Sequence, residues 1–207
     1  MEIPLGIDIP SQPLNPAGSG GSSVVFIGGY NHTPNIDAAM RLMGSIMPRV
    51  RAHAPGLKLM IVGDQPTESM QAAAGADDEI TGGVPAVAPY LDRASIVALP
   101  IRLGGGMRVK LLEALAAGKA VVASPVAAAG LDTDGHHVLR IADSDEEFSA
   151  AILELVADDV VRAELGHNAR RWALENLSWS SRRAEYEEVY RALVERTSAL
   201  TDKDTRR

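Results

Sequence analysis

The chain has 207 residues, 46% hydrophobic and 23% charged, enough to bury about 70% of its unfolded surface around one core. Cysteine is absent, which excludes a disulfide scaffold, a thiolate zinc site and a thiol nucleophile, and fits a reducing compartment. The net charge of −7 argues against a general nucleic-acid binder, whose phosphate contacts need a basic face.

Met1-Glu2-Ile3-Pro4 lacks the basic and apolar regions of a signal peptide, and no apolar run approaches the roughly 20 residues of a spanning helix. The expectation is a cytoplasmic chain with no membrane segment and no nucleic-acid partner. Residues 1–23 read as an extended linker: four prolines from Pro4 to Pro16 precede the flexible tract Gly18-Ser19-Gly20-Gly21-Ser22-Ser23. From Val24 onward, strand-length apolar runs alternate with helix-period segments. Strands are predicted at Val24–Ile27, Leu57–Val62, Ile96–Leu99, Ala120–Ala123 and Val138–Ile141, with a weaker one at Glu79–Thr81. Most are apolar on both faces, as buried parallel strands are.

Between the first two strands, Ile36, Met40, Met43, Met47 and Val50 form one face of a helix that Pro48 should kink or break. Further helices are predicted over Glu68–Ala74, Val87–Ala94, Arg108–Ala117, Asp145–Ala157, Asp158–Asn176 and Ser180–Arg196, with a frayed polar tail over 201–207. Strand then helix, repeated about six times, predicts an α/β fold: a doubly wound, mainly parallel, six-stranded Rossmann-like sheet over 24–200, with C-terminal helices.

Ligands of such sheets bind beyond the carboxyl ends of the strands. Those ends carry Gly28-Gly29, Gly63-Asp64, Gly82-Gly83, Gly104-Gly105-Gly106 and Ser124-Pro125. Some of these glycines make tight turns; together they also permit close backbone approach to a ligand. After Leu99, three glycines turn the chain into a helix whose free amides and dipole favour an anion. Arg102, Arg108, Lys110 and Lys119 against Glu113 make a local +3, read as a focused site for a diphosphate or as solvated surface charge. No Gly-Lys-Ser/Thr follows the glycines, and Val109 stands where the dinucleotide fingerprint needs Gly or Ala. Glu113 suits the two hydroxyls of a ribose, or is an acid paired with Lys110 at i−3. His136-His137 reads as a surface pair, and no metal site is expected.

The order Phe26-Ile27-Gly28-Gly29, Pro34-Asn35, Leu59–Gly63, Thr81-Gly82-Gly83-Val84, Gly104–Ser124 and Ala129-Gly130-Leu131 resembles the C-terminal, nucleotide-sugar-binding domain of GT-B glycosyltransferases, family 4 or group 1 type. The likeness runs from about residue 24 to Val194. It implies a donor site for a UDP- or GDP-sugar formed by Gly28, Gly29, Asn35, Gly83, Val84, Gly104, Gly105, Gly106, Arg108, Lys110 and Glu113. Glu113 matches the second acid of the family's Glu-x7-Glu motif, on the ribose; Arg108 and Lys110 match a Gly-x-Arg-x-Lys variant, on the diphosphate; Gly83 and Val84 match the turn at the base. The nucleotide sugar is a substrate, so no cofactor is implied.

Two departures follow. The first acid of Glu-x7-Glu falls on Gly105, so no catalytic residue is assigned and the stereochemical outcome stays open. A GT-B enzyme also needs an N-terminal domain that binds the acceptor. Residues 1–23 then read as the interdomain linker, the last helix as one that crosses back to that domain or simply packs, and the fragment as inactive alone. Relatives act on lipid-linked acceptors, which leaves a peripheral membrane association open. The competing readings are a non-catalytic nucleotide-binding or assembly domain of the same fold, and part of a nucleotide-sugar epimerase.

Overall fold

A computed structural model describes residues 6–104, 109–131, 133 and 135–204, with the backbone alone at 182, 184, 185 and 195–204. Six strands form one sheet: β1 (Ser23–Ile27), β2 (Lys58–Val62), β3 (Asp78–Ile80), β4 (Ile96–Leu99), β5 (Ala120–Ala123) and β6 (Arg140–Ile141). Their order is β3-β2-β1-β4-β5-β6, and every neighbouring pair is parallel. Val24 pairs with Leu59 on one side and Ile96 on the other, and Val24, Val25 and Phe26 are wholly buried. Burial on both faces is what a Val- and Ile-rich central strand requires. The doubly wound prediction is therefore correct, and the order puts the topological switch point between β1 and β4.

β6 is shorter than the predicted Val138–Ile141. His136 N donates to Thr133 O and Val138 N to His136 O, so those amides are spent on local turns instead of on β5. Val138 is still buried, as a core side chain.

The methionine stripe forms the first helical connection. It comprises α1 (Thr33–Arg41), a π-helical segment (Leu42–Ile46) and α2 (Met47–Arg51), with Met43, Met47 and Val50 buried. Pro48 has no N–H to give Gly44, and the helix accommodates this by widening one turn ahead instead of ending. Then follow α3 (Glu68–Ala73), α4 (Ala88–Arg93), α5 (Val109–Ala116), α6 (Pro125–Ala128), α7 (Asp145–Ala157), α8 (Asp159–Asn176) and α9 (Trp179–Asp204). α7 starts on a complete capping box between Ser144 and Glu147. Ser124-Pro125, read from the sequence only as the end of a strand, caps and starts α6, with Ser124 Oγ accepting from Ala127 N at 3.0 Å. α9 continues to Asp204, past the predicted end at Arg196 and into the segment expected to fray. No helix among the described residues is long and apolar enough to cross a membrane.

The lead-in is extended but not loose. Ile7 is buried and bridges to Ser178, Leu14 N donates to Ala117 O at 2.9 Å, and Ser95 Oγ bonds Ala17 O and Gly21 O at 2.8 and 3.1 Å. Arg170 donates to both Ala116 O and Pro10 O. The Gly/Ser tract predicted to be flexible is thus pinned, because core polar groups find their partners in its carbonyls.

Lys119 belongs to this strap. It is completely buried, and its ammonium donates to Asn15 O at 2.5 Å and Asp92 O at 3.4 Å. Burial lowers its pKa from 10.5 to about 8, with Asp92 opposing the fall and Arg162 adding to it. Below about 8 the lysine is charged in folded and unfolded chains alike, and the fold bears the full desolvation cost. Between about 8 and 10.5 the unfolded chain holds the extra proton, so stability rises with pH. The free energy of urea unfolding of the wild type, minus that of Lys119→Met, should climb across this window; a flat difference refutes the assignment.

Candidate functional site

β1 and β4 end side by side at the switch point, and the segments that leave them carry most of the predicted site. After β1, Gly28 N donates to Val62 O at 2.9 Å and Tyr30 N to Asp64 O at 2.8 Å, which holds the turn on the end of β2. Tyr30 is buried beneath it with its hydroxyl donating to Val62 O at 3.2 Å, and burial pushes the phenol well above its ordinary pKa. α1 then begins with His32 as an N-cap that makes no side-chain cap bond.

Asn35, in the first turn of α1, donates from Nδ2 to Gly29 O at 2.7 Å. Its Oδ1 accepts from Lys110 Nζ at 2.6 Å, across from the first turn of α5. The ammonium also stands 4.9 Å from the centroid of the Phe26 ring, at the end of β1. Gly28, Gly29, Asn35 and Lys110 are therefore brought together, and Lys110 spans the crevice between the two helix starts. Gly28 is required here for space, since a Cβ would lie 2.9 Å from Asn35 Cγ.

Glu113 lies three residues beyond Lys110 on the exposed side of α5. Desolvation raises its pKa above the usual carboxylate value, and Lys110 pulls the other way. Gly83 and Val84 follow β3 at the same sheet edge, with Gly83 against Asp64: a Cβ there would be 3.2 Å from Oδ1. Gly104 turns with φ of +99°, a conformation suited to glycine. Gly105, Gly106 and Arg108 lie outside the described residues.

Among the described residues, the basic set read from the sequence does not all stand in one place. Lys119 is in the strap described above. Arg102 is committed to Asp37 through a two-pronged bond of 2.6 and 3.1 Å, tying the segment after β4 to α1. Lys110 is the member of the set that the described residues put in the crevice.

Arg41, the last residue of α1, ties that helix to the segments that leave β4 and β6. Buried, it donates to Pro100 O at 3.1 Å, Asp143 O at 2.5 Å and Asp145 Oδ1 at 2.6 Å, with its guanidinium 5.0 Å from the Phe148 ring centroid. Phe26 is legible in the sequence only as strand core, although its place just before Gly28-Gly29 is a usable signal.

His136 and His137 are exposed in the loop before β6, not on a strand, and border two adjoining surface cavities of about 350 and 210 Å³. Leu131 and Ile141 line the first, Arg171 and Trp172 the second, and none of the described crevice residues lines either. Among the described residues, no group of three or more His, Asp or Glu side chains is placed to hold a metal.

Residues 21–158 match the family described as glycosyl transferases group 1. The phosphatidyl-myo-inositol mannosyltransferase of Mycolicibacterium smegmatis is 28% identical over 206 residues, covering 92% of this chain and 51% of the relative. The GDP-mannose-dependent alpha-(1-6)-phosphatidylinositol monomannoside mannosyltransferase of the same organism is 32% identical over 160 residues, covering 69% and 42%. The chain thus spans about half the length of these curated relatives or less. The sucrose-phosphate synthase of Thermosynechococcus elongatus has the same fold, with a TM-score of 0.73 at 19% identity over 93% of this chain and 52% of that one. With the family match covering well over half of its residues, and the six-stranded parallel sheet in agreement, the chain belongs to the glycosyl transferases group 1 family.

Proposed function

We propose that this chain is the donor-binding half of a glycosyltransferase that moves a sugar from a UDP- or GDP-sugar to an acceptor held by an N-terminal domain. The observation that carries this is the Lys110 ammonium held across the switch-point crevice between the first turns of α1 and α5, with Glu113 three residues on. A cation in the first turn opposes the helix dipole, so its position favours an anionic ligand over helix stability. In this reading Lys110, the amides at the start of α5 and Arg108 bind the diphosphate, Glu113 holds the ribose, and Gly83-Val84 meets the base. Departure of the nucleoside diphosphate builds negative charge on the phosphate oxygens, and pre-placed cations and amides stabilise that charge without reorganising.

The dependence on GDP-mannose in the name of one relative supports a guanine nucleotide. The half-length match to the relatives supports an N-terminal partner domain, to which residues 6–23 and α9, with Trp179 and Tyr190 exposed, would connect. Gly105 at the first acid position favours a second reading, a nucleotide-binding domain without transferase chemistry.

Calorimetry with UDP, GDP and their nucleosides tests the donor site. Lys110→Ala should weaken the diphosphates by roughly tenfold to a hundredfold, as loss of a charge-assisted contact does, and leave the nucleosides unchanged. No binding to any of them at millimolar concentration refutes the donor site. Sugar transfer on addition of the N-terminal domain would separate the two readings.

A further inference from the structure

We infer that Asn35 is a positioning residue for Lys110, fixing where the ammonium stands without itself touching the donor. The inference rests on the donor-site reading and concerns how that site is built.

The side-chain amide of Asn35 is used at both ends. Nδ2 donates to Gly29 O at 2.7 Å, which fixes the orientation of the amide plane, because the nitrogen must face the carbonyl. That leaves Oδ1 directed at Lys110 Nζ, 2.6 Å away. A lysine side chain has four flexible carbons and a compact charge, and by itself samples many orientations. Here the Asn35 amide oxygen at 2.6 Å and the Phe26 ring centroid at 4.9 Å are among the contacts that hold it. Both props belong to the β1 end of the crevice, whereas Lys110 belongs to α5 beyond β4. Asn35 therefore transmits the geometry of the first turn to a charge on the opposite wall.

Gly28 supports this reading independently. Its missing side chain is the space that the Asn35 side chain fills: a Cβ on Gly28 would stand only 2.9 Å from Cγ and 3.0 Å from Nδ2. Asp37, half a turn on, holds Arg102 from the same helix in the same manner. The first two turns of α1 thus anchor basic side chains from the segment that follows β4.

The alternative is that Asn35 only closes the Gly29–Asn35 turn. A double-mutant cycle in the full chain separates the two, read as the ratio of nucleoside Kd to nucleoside diphosphate Kd, for uridine with UDP and guanosine with GDP. Asn35→Ala should lower this ratio by about tenfold, approaching the effect of Lys110→Ala, and adding Lys110→Ala should lower it little further, as coupled groups behave. Nucleoside Kd should not change. Asn35→Ser adds no charge and is too short to bridge Gly29 O and Lys110 Nζ, so it should lower the ratio about as far; it serves if the alanine variant folds poorly. A ratio that falls in Lys110→Ala and not in either Asn35 variant, or nucleoside affinity that falls equally, overturns the positioning role and leaves the donor site standing. A wild-type ratio near one overturns the donor site, and this inference with it.

Discussion

Gly63→Ala will cost at least about 4 kcal/mol of stability, a change at the upper end of single substitutions. Gly63 follows β2 with φ of +144°, a region that side chains rarely enter. A Cβ placed there would overlap the carbonyl oxygen of Gly28. That neighbour is backbone, and it is held by the Gly28 N to Val62 O bond, so it has no rotamer through which to yield. A domain of this size has a total stability of about 5–15 kcal/mol, so thermal melts followed by circular dichroism should show Tm reduced by roughly 10 °C, or no folded protein. Gly56→Ala is the control. Its φ is +77° but its Cβ would meet nothing within 4 Å, so it should lose only about 1 kcal/mol. Equal losses for the two variants would show that the backbones of β1 and β2 do not meet as described.

Arg41→Ala is expected to destabilise by about 3–5 kcal/mol, the range for breaking a buried ion pair from one side. The guanidinium joins three elements: α1, the carbonyl of Pro100 just after β4, and the start of α7 through Asp143 and Asp145. Its removal strands two carbonyls and a carboxylate together, and exposes one face of the buried Phe148 ring to a void. Arg41→Lys keeps the charge but not the planar fork, and should recover only part of the loss. Urea unfolding measures both. Because Pro100 leads into the Ile101–Gly104 turn, the alanine variant should also weaken nucleotide diphosphate binding; a loss below about 1 kcal/mol would mean that water replaces the network.

Much of the fold is legible residue by residue. Ile96–Leu99, Ala120–Ala123 and Asp145–Ala157 form just where periodicity and capping put them. The exceptions have local causes. Val138 falls outside β6 because a turn bond uses its amide, and Ser124-Pro125 starts α6 because a capped proline at the first helical position favours one. The candidate site is legible as a set of strand ends and less so as a set of contacts. The resemblance implies Asn35 as a donor contact, yet both ends of its amide bond to protein.

The +3 between Arg102 and Lys119 shows where one-dimensional counting fails. Lys110 lies in the first turn of α5 and Lys119 beyond its other end, and the eight residues of that helix span roughly 12 Å at the helical rise. One end faces the crevice, and the other faces the strap.

By itself, the sequence determined the alternation of buried strands and helices, the glycine-bearing strand ends and the absence of thiol chemistry, because periodicity and composition are local properties that survive in any arrangement. Which strands are neighbours is not local. The order β3-β2-β1-β4-β5-β6 puts residue 35 beside residue 110 and residue 37 beside residue 102. It also turns Lys119 from a site charge into a buried clamp on the lead-in. Tertiary structure decided those pairings, since the free energy of a charge depends on the groups and water around it, and only the folded chain supplies them.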